Sequence, residues 1–151
     1  MNLLFHFFSA YSVCYFAFGG VREHILLIFI VSIFIDLDHI PHILKARQQI
    51  LGDGFGSASR TFLHELLGLS LLSAALCFLL SFSLLPAKIA EIVALSLGLH
   101  FGFDFLFGKT RPFYPFSREE ISLIKVSKKQ KAYLEFILTV VLGVVFWITV
   151  A

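Results

Sequence analysis

Charge is scarce in this chain. Asp, Glu, Lys and Arg make up 15% of its 151 residues, where an ordinary soluble domain carries roughly a quarter. The hydrophobic share is 58% and the mean hydropathy is +0.90, which together exclude a soluble globular domain. Cysteine is also rare. Cys14 and Cys77 lie in the middle of apolar runs, outside any CxxC or zinc-knuckle spacing, so they read as small buried residues and not as metal thiolates. No internal repeat, low-complexity segment or composition break divides the chain, and nothing in it marks a nucleic-acid partner. Residues 1–151 therefore read as a single domain whose partner is the lipid bilayer.

What the sequence has in abundance is apolar runs near the roughly 20 residues that span a bilayer as a helix. The first runs from Leu3 to about Phe18. A cleaved signal peptide is the alternative there, but no Lys or Arg precedes the run and Ala17-Phe18-Gly19 is a poor cleavage site. After the Gly19-Gly20 turn a second segment runs from His24 to about Asp38, with room to reach Leu44, although Pro41 disfavours helical geometry at Ile40. A polar connection follows, Lys45 to Arg60. The third segment is expected from Phe62 to Leu85, the fourth from Ala87 to Phe107 after Pro86, and the last from Tyr133 to Val150. Between the last two, Ser117 looks like a helix cap, with a short surface helix expected over Glu119 to Val126. The expected fold is all-α: a polytopic membrane helical bundle of about five transmembrane helices.

Alternation of direction then locates the polar residues. His6 lies at the start of the first span, and Asp36, Asp38 and His39 lie at the end of the second. His64 and Glu65 open the third, and His100 and Asp104 close the fourth. All fall on one side of the membrane, where scattered placement would divide them between both. The connections on that side carry Lys45, Arg47, Arg60, Lys109, Arg111, Arg118, Lys125, Lys128, Lys129 and Lys131, against Arg22 and Lys88 on the other. Positive charge favours the cytoplasmic side. The expected placement is thus multi-pass in the cell membrane, site facing the cytoplasm, N-terminus in and C-terminus out.

Ionisable groups persist at membrane depth mainly when they bind something or line a wet cavity. His6, Asp36, Asp38, His39, His64, His100 and Asp104 form a mixed imidazole–carboxylate set. Such a set suits zinc above all, with manganese or iron as alternatives, and its size allows one or two ions. His100 and Asp104, four residues apart, project from one helix face. His42, beyond Pro41, reads as a loop residue. Glu65 points about 100° from His64 on a helix, so a ligand role and a supporting role both stand. His6 and Glu65 are the candidates for general base. Lys109 and Arg111, shortly after Asp104, could hold a substrate anion. The Lys125 to Lys131 cluster reads as lipid contact or orientation signal.

These residues resemble the YdjM-like family, LexA-regulated inner-membrane proteins regarded as metal-dependent hydrolases. The resemblance rests on His6, on the D-x-D-H motif of Asp36, Asp38 and His39, and on Arg60-Thr61-Phe62-Leu63-His64. It rests also on His100-x-x-x-Asp104 followed by Gly108 and Tyr114-Pro115-Phe116. The chain departs from the family pattern at Ser59, where a His is usual, and at Leu63 and Glu65, where Thr or Ser is usual. Glu65 could stand in for a missing ligand. The His-x-x-x-Asp helix is also similar to that of zinc-dependent phospholipase C and related nucleases.

The reading that joins these strands is a membrane-bound metal-dependent hydrolase, cleaving a phosphoester or lipid-like substrate, such as a phospholipid, with metal-activated water at the cytoplasmic face. A metal-ion or proton transporter is one alternative, and a non-catalytic scaffold stapled by metal is another.

Overall fold

The computed structural model describes residues 2–39, 65–108, 110–117, 119–124 and 126–151. Among these residues there are five α-helices and no strand. Helix α1 spans Leu3–Phe18, α2 Ile25–Phe34, α3 Leu66–Ser81, α4 Ala87–Phe107 and α5 Lys128–Val150.

Local chemistry sets most of the boundaries. The Asn2 side chain accepts a 2.7 Å hydrogen bond from the Phe5 N–H and so caps α1. Gly19 and Gly20, with φ of 59° and 56°, end it in backbone that only glycine adopts without cost. After α2 the winding tightens to a 3₁₀ turn over Ile35–His39, ahead of Pro41. The third segment is shorter than its apolar run predicts. Its helix stops at Ser81, and Ser83 takes a positive φ of 54°. The Ser83 N–H donates to the Leu80 carbonyl and the Leu84 N–H to the Leu79 carbonyl, which closes the helix in a Schellman motif. The fifth segment starts earlier than expected. Ser127 and Gln130 form a reciprocal capping box, which extends the helix through the lysines and over Tyr133.

The expected surface helix over Glu119 to Val126 does not form in its described residues. Ser117 Oγ accepts from the Glu119 N–H in a local turn, and Ile121 instead exchanges both backbone hydrogen bonds with Thr110, at 3.0 and 2.8 Å. That antiparallel pairing ties the end of the loop back to the exit of α4.

Two helices, α4 and α5, are long and apolar enough to cross a membrane by length and composition. At 21 and 23 residues they measure about 32 and 35 Å, against a hydrocarbon core of about 30 Å. The 16-residue α1 and α3 reach only about 24 Å.

Helix α1 is central and packs against α2, α4 and α5, while α4 also packs against α2 and α3. Side-chain contacts give the directions. Cys14 meets Ser96 and the Lys88 ammonium donates to the Phe18 carbonyl, so α1 and α4 are antiparallel. Asn2 meets Thr139, Phe8 abuts Gly143 and Tyr11 meets Phe146, so α1 and α5 are parallel. The core is built from Phe7, Ala10, Tyr11, Cys14, Val21, Ile28 and Ile92, with a second cluster of Ile35, Leu97 and Phe101. With these directions the start of α1, the end of α2 and the end of α4 meet at one end of the bundle.

Candidate metal centre

At that end lie four ionisable side chains from three helices. His6, His100 and Asp104 are 1%, 2% and 3% exposed, a depth at which such groups stay only when something pairs or binds them. Asp36 is the most open of the four, with a side chain 11% exposed. His6, Asp36 and His100 each offer a ligand atom, and these atoms lie within 4.8 Å of one another.

The finer geometry fits a cation. His100 Nε2 stands 3.6 Å from Asp36 Oδ1, and His6 Nε2 stands 3.6 Å from Asp104 Oδ1. Donors bound at about 2.1 Å to a tetrahedral ion stand about 3.4 Å from each other, so the His100–Asp36 separation is close to that of two ligands on one ion. The two imidazoles stack, with centroids 3.9 Å apart and planes inclined by 20°. Neither nitrogen of His6 has a hydrogen-bond partner among the described residues, which leaves a buried imidazole short of a partner that an ion would supply.

His100 is held in a ligand tautomer. Its Nδ1 lies 3.0 Å from the Ser32 carbonyl oxygen. A carbonyl only accepts, so Nδ1 carries a proton, and Nε2, beside Asp36, is the nitrogen placed to meet an ion. An outer hydrogen bond of this kind to a backbone carbonyl is the usual support of a metal-bound histidine. Ser32 is a feature the sequence reading passed over. Its signal was its place one helical turn before Asp36, where its backbone can reach the same neighbour.

The other residues singled out from the sequence sit differently. Asp104 touches His6 but lies outside the three-donor group. Glu65, 2% exposed, is not a member of the three-donor group. It faces the loop after α4, where its Oε2 accepts a 2.7 Å hydrogen bond from the Arg111 N–H and its Oε1 lies 3.5 Å from Arg111 Nε. Arg111 is thereby engaged within the protein, and its guanidinium also covers the Tyr114 ring at 4.9 Å. His64 and Lys109 lie outside the described residues, as do His42, Ser59 and Arg60. For Asp38 and His39 the backbone alone is described, as part of the 3₁₀ turn.

Fold and site together define a class: an all-helical membrane protein with a buried imidazole–carboxylate cluster that could bind a metal ion. The comparison of sequences is more specific. Residues 1–151 match the family model described as YdjM inner membrane protein, and the chain belongs to that family. No curated protein and no solved structure matches it significantly.

Proposed function

We propose that this protein is a membrane-embedded, metal-dependent hydrolase that acts on a phosphoester or lipid-like substrate at the cytoplasmic face. The observation that carries the reading is the convergence of His6, Asp36 and His100 from three helices onto one point, with the His100 tautomer fixed by Ser32. A divalent ion there, zinc by the mixed nitrogen and oxygen donors, supplies Lewis acidity and lowers the pKa of water at neutral pH. The protein's own residues do the rest. His100 and Asp36 would hold the ion, His6 would add a third donor, and Asp104, 3.6 Å from His6 Nε2, would orient the His6 ring. Asp36, as the most open member, marks the side from which substrate and water arrive.

In this reading five segments cross or enter the membrane, with the N-terminus in and the basic connections on the cytoplasmic side. Thiol labelling from each side tests the orientation. In a Cys77→Ala background, Phe116→Cys, at a residue 92% exposed, should label from the cytoplasm, and Leu84→Cys, 65% exposed in the turn between α3 and α4, from the opposite side. The reverse pattern overturns the orientation.

The activity is tested by elemental analysis of the purified protein beside His100→Ala, with hydrolysis of a chromogenic phosphodiester and of phospholipid vesicles. Metal and hydrolysis should be lost together. Metal flux across liposomes without hydrolysis would instead assign transport. The deep burial of His6 and His100 favours a second reading, in which the ion only staples the helices. X-ray absorption spectroscopy separates these, because a catalytic ion keeps a solvent position and a staple is closed by protein donors.

A further inference from the structure

The face of α4 turned away from the metal cluster borders a groove against α3. Two adjoining cavities form it. One, of about 260 Å³, is bordered by Leu69, Gly98, Phe101, Gly102 and Phe105, and closes at Glu65 and Thr110. The other, of about 430 Å³, continues it past Leu76, Ala90 and Ala94 and shares Leu69 and Gly98 with the first. At Gly98 and Gly102 a Cβ would meet nothing within 4 Å, so these glycines do not admit a neighbouring helix. They leave room.

The groove is apolar over most of its length; Glu65 and Thr110 stand at one end, and the second cavity also touches Ser73 and Glu91, the latter one helical turn beyond Ala94. Thr110 is 4% exposed. Its backbone N–H and carbonyl are both used by Ile121, yet its Oγ1, buried at the head of the groove, has no hydrogen-bond partner among the described residues. A buried hydroxyl without a partner is costly. An occupant with a long apolar tail and a hydrogen-bonding group at one end satisfies both features.

Length narrows the class. From Phe105 to Ala94 the helix rises about 16 Å, close to half of a bilayer's hydrocarbon core of about 30 Å, the depth of one leaflet. The protein belongs to an inner-membrane family, so acyl chains are the abundant apolar neighbours of this helix pair.

We propose that the groove between α3 and α4 seats one acyl chain of a membrane glycerolipid, with its ester or free hydroxyl hydrogen-bonded by Thr110 Oγ1 and its tail laid over Gly102 and Gly98 toward Ala94. The seat lies across α4 from His100, because Gly98, Gly102 and Phe105 project from the side of the helix opposite His100 and Asp104. It does not depend on the hydrolase reading.

The test is photo-crosslinking. The full chain is reconstituted in vesicles of phosphatidylethanolamine and phosphatidylglycerol containing a monoacylglycerol with a diazirine midway along its tail. Labelled peptides are then mapped by mass spectrometry. The outward face of α5, where Val140, Val144 and Trp147 are exposed, reports contact with bulk lipid. Labelling of α3 and of α4 near Gly98 should saturate, be competed by unlabelled monoacylglycerol, and exceed that of α5. Gly98→Leu, which fills the groove, should lower it about tenfold. Thr110→Val, nearly isosteric and so a safeguard should the first variant fold poorly, should lower it about fivefold, the loss of one net hydrogen bond. Metal content should stay at the wild-type level in both, so failure here and failure of the metal site are read separately. Labelling that never exceeds that of α5, saturable labelling that neither variant weakens, or cross-links between two copies through the groove would each overturn the proposal.

Discussion

Replacing His100 with alanine is the sharpest test of the metal centre. The ring is buried, stacks on His6 at 3.9 Å and presents Nε2 3.6 Å from Asp36 Oδ1, with Nδ1 fixed by the Ser32 carbonyl. Alanine removes one of three convergent donors and the hydrogen bond that orients it. Mutation of a partner that merely supports a ligand weakens metal binding by about 10–100-fold. Loss of a pre-oriented ligand should exceed that, at about 100-fold or more, which is about 2.7 kcal/mol or more. Asp104→Asn makes the internal comparison. Asp104 touches His6 but stands outside the three-donor group, so its cost should stay within about 10–100-fold. The assay is zinc titration by calorimetry in detergent, paired with thermal unfolding before and after chelation. An ion present at a hundred times its dissociation constant stabilises the native state by about 2.7 kcal/mol, so chelation should lower the Tm of wild type and leave His100→Ala unmoved. Wild-type zinc affinity in His100→Ala would refute the assignment, and a larger loss in Asp104→Asn than in His100→Ala would reverse the roles given to the two residues.

The remaining predictions concern the bundle and its loop. At Gly143 a Cβ would lie 3.3 Å from Phe8 Cε2, so Gly143→Leu should overpack the α1–α5 contact and cost about 1–3 kcal/mol, read as a lower Tm. Gly98→Ala, facing open space in a helix interior, should instead be neutral or stabilise by up to about 1 kcal/mol in the same assay. Ser127→Ala removes the capping box of α5 and should cost about 1 kcal/mol, confined to the first turn and seen as faster amide exchange over residues 128–132. Glu65→Ala removes the carboxylate that accepts from the Arg111 N–H and pairs with its guanidinium. The loop from Thr110 to Ser117 should then exchange and proteolyse faster while zinc affinity is unchanged. A fall in zinc affinity would place Glu65 at the metal after all.

Several of these features were legible before any coordinates. The apolar runs of α1 and α4 match their helices from Leu3 to Phe18 and from Ala87 to Phe107, because a glycine or proline stands at the relevant ends and nothing competes inside. The alternation of spans placed His6, Asp36, His100 and Asp104 at one end, and the packing directions bring those four together. The ends of α3 and α5 were less legible. The backbone turn at Ser83 and the capping box at Ser127 act through hydrogen bonds to their own neighbours, and hydropathy does not register these. The surface helix expected after Ser117 gave way to the pairing of Thr110 with Ile121, a contact between residues eleven apart in the chain.

The sequence by itself determined the membrane class, the helical architecture and the inventory of ligand-type side chains, because these follow from composition, run length and spacing within a single helix. Tertiary structure alone decided how that inventory divides. The angle at which each helix meets its neighbours turns His6, Asp36 and His100 toward one point. It sets Asp104 behind His6, and it turns the buried Glu65 to Arg111 at the head of a groove. A helix fixes which residues share a face, but which faces meet depends on packing between helices, and that information is spread over the whole core.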